Sequence, residues 1–146
     1  MSTTNSYATF YADKFYFGIL TSEVLELTKV TDITPVPLAP PTITGLINLR
    51  GQIVTAVNMR RRLAVGQSDC QGETTTILIE KSGVMYGLLV DRVSDILELD
   101  EKDFETPPSS VSAEAKELIV GVSKLPGELL FILDTTKIIS GISGDK

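Results

Sequence analysis

Apolar residues along the chain come in short runs broken by Gly, Pro, Asn and Ser, a pattern that predicts strands and turns rather than long helices. Residues 14–20 (Lys-Phe-Tyr-Phe-Gly-Ile-Leu) read as a strand. Residues 23–28 alternate only loosely beyond a Thr21-Ser22 turn, which predicts a hairpin, and residues 29–33 allow a short helical turn. Pro35, Pro37, Pro40 and Pro41 lack backbone donors and fix φ, so residues 34–41 must form an extended crossing loop. Residues 43–48 lead through Leu49-Arg50-Gly51 into a strand at 52–58, then a helical turn at 59–63 and a polar loop at 64–72.

The second half repeats the theme. Runs at 74–80 and 84–90 flank Lys81-Ser82-Gly83, a connection with the length and glycine content of a hairpin, and residues 93–99 form a further strand. Residues 100–112, with Pro107 and Pro108, are a loop, and Ser112 can cap a short helix at 113–117 that has Glu114 in its first turn. Runs at 118–125 and 128–133 flank Pro126-Gly127, another hairpin signal, and Asp134 can cap a last helical turn through residue 139. About eight short strands with regular turns predict a mostly β barrel or sandwich. Two of these strands, residues 84–90 and 129–133, are apolar on both faces. Either they are buried on both sides, or one face lines a groove between two barrels; both arrangements put two layers in contact.

Composition narrows the chemistry. With 146 residues, 42% hydrophobic and 22% charged, the chain can bury a full core without disulfides. It contains no histidine, which removes Ser-His-Asp and Cys-His nucleophile pairs, a histidine general base and any His-containing zinc site. The single Cys70 can form no internal disulfide, as suits a reducing cytoplasm. The net charge of −6 argues against nucleic acid as the main partner. All of that excess lies in residues 91–117, which carry nine acids against three bases. Residues 1–12 are expected to be a flexible polar tail, residues 143–146 a second tail, and residues 13–142 one domain. No run suggests a secretion signal or a membrane span.

Catalytic and cofactor patterns are weak. Asp91 and Asp95 lie four apart in a strand-like run, but Arg92 stands between them and no acid–base partner is evident. The acidic stretch from Asp100 to Glu105 fails the spacing of a calcium loop, and no phosphate-binding glycine loop occurs, so no cofactor or metal is expected. Arg60, Arg61 and Arg62 are the only basic cluster. They could bind nucleic acid in a small β-barrel, or form a solvated face. Arg50 is crowded by apolar residues and followed by Gly51, which permits a positive-φ turn. It is either a turn arginine facing water or a guanidinium presented at an apolar rim as an interface anchor.

The run Gly45-Leu46-Ile47-Asn48-Leu49-Arg50-Gly51-Gln52-Ile53-Val54, followed by Val57-Asn58-Met59-Arg60, resembles the central motif of the CheW family, the coupling proteins of bacterial chemosensory arrays. Residues 87–97 (Gly-Leu-Leu-Val-Asp-Arg-Val-Ser-Asp-Ile-Leu) resemble that family's second signature, and residues 130–134 its closing strand and helix start. The likeness covers about residues 14–142. Thr55 stands where proline is usual and Asn58 where aspartate is usual, so a salt bridge from that aspartate would be missing. The resemblance implies two intertwined five-stranded SH3-like β-barrels, no catalysis and no cofactor. The implied partners are the cytoplasmic hairpin tip of a methyl-accepting chemoreceptor and the regulatory domain of the kinase CheA. It further implies a cytoplasmic location at the inner face of the membrane, without direct membrane insertion. Arg50 matches the arginine associated with receptor coupling, within a motif turn that includes Asn48, Leu49 and Gly51. Val30 and Asp32 are matched to a Val-x-acid position after the second strand, and Ile96 to the second signature, all three on the receptor side. The kinase-facing surface is not assigned to residues.

Overall fold

The computed structural model describes residues 4–29, 32–66 and 74–140. In chain order the strands are β1 (Thr4–Ala12), β2 (Phe15–Leu20), β3 (Val24–Thr28), β4 (Ile43–Leu49), β5 (Gln52–Asn58), β6 (Thr75–Lys81), β7 (Val84–Val90), β8 (Arg92–Asp100), β9 (Ile119–Leu125) and β10 (Glu128–Leu133). Three short α-helices, α1 (Met59–Leu63), α2 (Ala113–Leu118) and α3 (Thr135–Ser140), and two 3₁₀ turns, Thr21–Glu23 and Glu101–Asp103, complete the described residues. The strands make two five-stranded sheets, ordered β8-β1-β2-β10-β9 and β3-β6-β7-β5-β4. The second sheet is built from one continuous stretch that interrupts the first. Each contains a single parallel pairing, β2 with β10 and β5 with β7, flanked by antiparallel neighbours.

Local chemistry accounts for most element ends. Ser112 Oγ accepts from Ala115 N at 3.1 Å and caps α2, while Asp134 Oδ1 accepts from Thr136 N at 2.9 Å and caps α3. Asn58 Oδ1 accepts from Arg61 N at 3.1 Å, so asparagine at this position serves as the N-cap of α1. Thr55 sits in the interior strand β5 between Leu46 and Tyr86, where it adds a β-branched side chain to the ladder.

The strands that are apolar on both faces lie between two apolar clusters. One cluster, including Phe10, Phe17, Ile19, Val57, Met59, Ile77, Leu88, Phe131 and Ile138, is shared by both sheets. The first sheet buries Tyr7, Tyr16, Leu130 and Ile132 in a second cluster, and the other sheet buries Ile47, Val54, Ala56 and Leu78 in a third. In β10, Phe131 and Leu133 point to the shared cluster and Leu130 and Ile132 away from it. In β7, Leu88 and Val90 face the shared cluster while Met85 and Leu89 pack on the third. Each fully buried Leu, Ile or Phe contributes about 1.5–3 kcal/mol, so the shared cluster welds the sheets together.

Three expectations are corrected. Residues 4–12 are not a tail: they form β1, paired with β2 and β8, with Tyr7, Phe10 and Ala12 buried. Its polar Thr9 is buried too, donating to the Asp95 carbonyl and accepting from Tyr16 Oη at 2.8 Å. Residues 23–28 are not a hairpin arm. Thr21–Glu23 is a 3₁₀ turn that carries the chain from the first sheet to the second, where β3 pairs with β6. Residues 29, 32 and 33 are not helical, and residues 30–31 lie outside the described residues, as do Cys70, most of the 64–72 loop and residues 143–146.

Candidate protein interface

Arg50 and Gly51 form the two-residue turn between β4 and β5. Both have positive φ, 52° and 85°, the conformation that matches the twist of the flanking strands. Glycine adopts it freely, whereas arginine at such a φ costs about 1–2 kcal/mol. Asn48 holds the turn, its Oδ1 accepting from Gly51 N at 3.1 Å, and Leu49 packs against the Ile47–Val54 cluster. The Arg50 side chain is 67% exposed, and its Nη2 donates to Glu26 Oε1 on β3. Because β3 and β4 are the two outer strands of their sheet, this ion pair joins opposite sheet edges.

Beside the turn lies an apolar strip. Ile53 is 59% exposed and Val84 is also exposed. They immediately precede the parallel pair Val54↔Met85, so they lie side by side at the end of the β5–β7 ladder. Leu25 and Leu27, on either side of Glu26, are exposed as well. The turn thus sets a planar donor fork near exposed aliphatic side chains, a composition that suits an interface anchor. Ile96 is 66% exposed but stands on β8, the outer strand of the other sheet, opposite Ala8. Asp32 is exposed in the crossing loop, and Val30 lies outside the described residues. The structure therefore gathers Asn48, Leu49, Arg50 and Gly51 in one turn and sets Ile96 on a separate sheet.

The acid that meets Arg50 is Glu26, which the sequence reading did not single out. Val24-Leu25-Glu26 has the same Val-x-acid spacing as residues 30–32 and lies directly after β2 and its turn, a signal that could have identified it.

The basic triplet is largely committed to the fold. Arg60 Nε and Nη2 donate to the two Asp91 oxygens at 3.0 and 2.7 Å. Arg62 donates to the carbonyls of Ile138 and Lys137, both at 2.9 Å, and burial lowers its pKa from the ordinary value. Only Arg61 of the three is exposed, so the triplet does not present a three-charge basic face to nucleic acid. Asp91 is held in the Arg60 fork and Asp95 is exposed on β8, so the two do not act as an acid–base pair. Asp100 Oδ1 accepts from Lys102 N at 3.1 Å, and among the described residues no group of three or more acidic, Cys or His side chains could hold a metal ion. No described helix is long and apolar enough to cross a membrane.

Comparison with known proteins agrees with this geometry. The CheW-like domain model matches residues 6–143. The chain is 28% identical over 138 residues to the chemotaxis protein CheW of Treponema pallidum, covering 90% of this chain and 80% of that protein. It is 35% identical over 113 residues to the CheW of Thermotoga maritima, covering 77% and 73% respectively. The crystal structure of the scaffolding protein TtCheW from Thermoanaerobacter tengcongensis superposes with a TM-score of 0.79 at 27% identity, covering 92% of this chain and 85% of that one. Proteins of this family are chemotaxis scaffolds and adaptors rather than enzymes. With its two five-stranded sheets and its match across nearly the whole chain, this protein belongs to the CheW-like domain family.

Proposed function

We propose that the protein couples a methyl-accepting chemoreceptor to the histidine kinase CheA in the cytoplasm, at the inner face of the membrane, and transforms no substrate. The observation that carries this reading is Arg50. Its strained turn presents the guanidinium at the edge of exposed Ile53 and Val84, where an amphipathic receptor helix can find both apolar contacts and a register-fixing charge. The Glu26 partner supports it, because an ion pair this exposed contributes at most about 1 kcal/mol and is readily exchanged for an incoming carboxylate. We assign Arg50, Ile96, Val30 and Asp32 to the receptor side, with Asn48, Leu49 and Gly51 shaping the Arg50 turn. A second surface holds the CheA regulatory domain, so receptor and kinase are kept at high effective concentration. Receptor control of the kinase then needs a coupling free energy of about 1–3 kcal/mol carried through the two interfaces. Titration with a receptor cytoplasmic fragment and with the CheA regulatory domain tests the reading. Saturable binding of both is expected, and binding of neither removes it.

A further inference from the structure

The chain passes from one sheet to the other twice, and each crossing carries a carboxylate gripped from both sides. At the β7–β8 crossing a single residue, Asp91, separates the strands. Its oxygens take the Nε–Nη2 fork of Arg60, from α1 after β5, and its Oδ2 also accepts from Asp13 N at 2.7 Å, in the β1–β2 turn. Asp91 N donates to the Tyr11 carbonyl at 3.0 Å. The Asp13 turn is itself fixed: its φ is 58°, and its carboxyl fills the space where a Cβ on Gly66 would stand, 2.5 Å away. At the β2–β3 crossing, Glu23 accepts from Lys81 at the end of β6 and from Thr135 Oγ1 at 2.6 Å, at the start of α3. The two crossings thus share one plan, an acid held by a cation at or just beyond the end of a second-sheet strand (Lys81 of β6, Arg60 after β5) and by a neutral donor just beyond a first-sheet strand (Thr135 after β10, Asp13 after β1).

Apolar packing holds the sheets in contact but has no preferred direction, whereas a bidentate Arg–carboxylate pair fixes orientation. We propose that Asp91 and Glu23 are positioning residues that clamp the crossings and hold the sheets in one orientation. Arg50 on one sheet and Ile96 on the other then meet the receptor at a set spacing. This rests on the reading that both residues face the receptor.

The test uses the full chain with Cys70→Ser and spin labels at Ile53→Cys and Ile96→Cys, exposed positions on different sheets, and reads their distance distribution by electron double resonance. The parent gives one narrow distribution. Asp91→Asn combined with Glu23→Gln broadens or shifts it, and in unlabelled protein weakens receptor-fragment binding about tenfold, as when the competent population falls to a tenth. Exchanging the charges with Glu23→Lys and Lys81→Glu, in a chain with Asp91 intact, restores the narrow distribution lost in Glu23→Gln. An unchanged distribution in the folded double variant overturns the proposal. If Asp91→Asn does not fold, Glu23→Gln alone decides, since its clamp is the more exposed: broadening supports the proposal and a parental distribution overturns it. A parent that binds no receptor fragment, with broadening in the variants, removes the receptor reading while supporting the clamps.

Discussion

Two arginine–carboxylate pairs whose arginines lie ten residues apart differ in almost everything but chemistry. Arg50 and Glu26 are 67% and 36% exposed, one Nη meets one oxygen, and the arginine backbone is strained. Arg60 and Asp91 are 15% and 16% exposed, the fork is bidentate, and the carboxylate also holds a backbone N–H. Water screens the first pair and leaves it exchangeable, while the second sits in a small network with Asp13, whose N–H reaches Asp91 and whose Oδ1 lies 3.9 Å from Arg60 Nη1, so breaking it removes the strongest contact of two largely buried charges. The same residue types thus stand at an exposed, exchangeable surface proposed for docking in one place and within the architecture in the other, and burial with bond count tells them apart.

The largest expected effect breaks the buried pair. Asp91→Ala should cost about 3 kcal/mol of folding stability, read by urea unfolding, because it removes the bidentate partner of the largely buried Arg60 guanidinium and leaves the longer Asp13 contact in its place. A loss below about 0.5 kcal/mol would equate it with the surface pair. Next, Arg50→Ala should leave stability within about 0.5 kcal/mol yet weaken receptor-fragment binding by about 1–2 kcal/mol, measured by calorimetric titration. Arg50→Gly sharpens this further. It relieves the left-handed strain and should hold or raise stability by roughly 0.5 kcal/mol while losing the same binding. The smallest effect is in pH. The hydrogen bonds from Lys81 and Thr135 hold the Glu23 carboxyl below its ordinary value of 4.5. Its contribution to stability is therefore complete above that value and fades as pH falls through the lowered one. Unfolding series from neutral to acid pH should show a shallower acid loss in Glu23→Gln than in the parent.

Legibility in the sequence followed the range of the interaction. The β4–β5 turn, the α2 and α3 caps and the hairpins at Ser82-Gly83 and Pro126-Gly127 are set by residues within a few positions of one another, and all stand where the pattern put them. β1 was hidden because Thr9 and Ser6 look like tail residues until Tyr16 and β8 supply their neighbours. The Thr21-Ser22 turn resembled a hairpin because nothing local reveals that β3 pairs with β6, some 50 residues away. Arg50 was legible as a motif residue, but the exposed Ile53 and Val84 near its turn, which support the proposed interface role, are set by the pairing of β5 with β7. Glu26, like the fates of Arg60 and Arg62, depends on strands and helices brought together by the fold, which spacing along the chain does not encode.

Simultaneous occupancy tests the central claim most directly. Analytical ultracentrifugation of the full chain with a receptor cytoplasmic fragment and the CheA regulatory domain should show a ternary complex that sediments ahead of either binary one, and Arg50→Ala should lose the receptor while keeping the kinase domain. If the two partners displace each other from the chain, or if neither joins it, the bridging role is wrong.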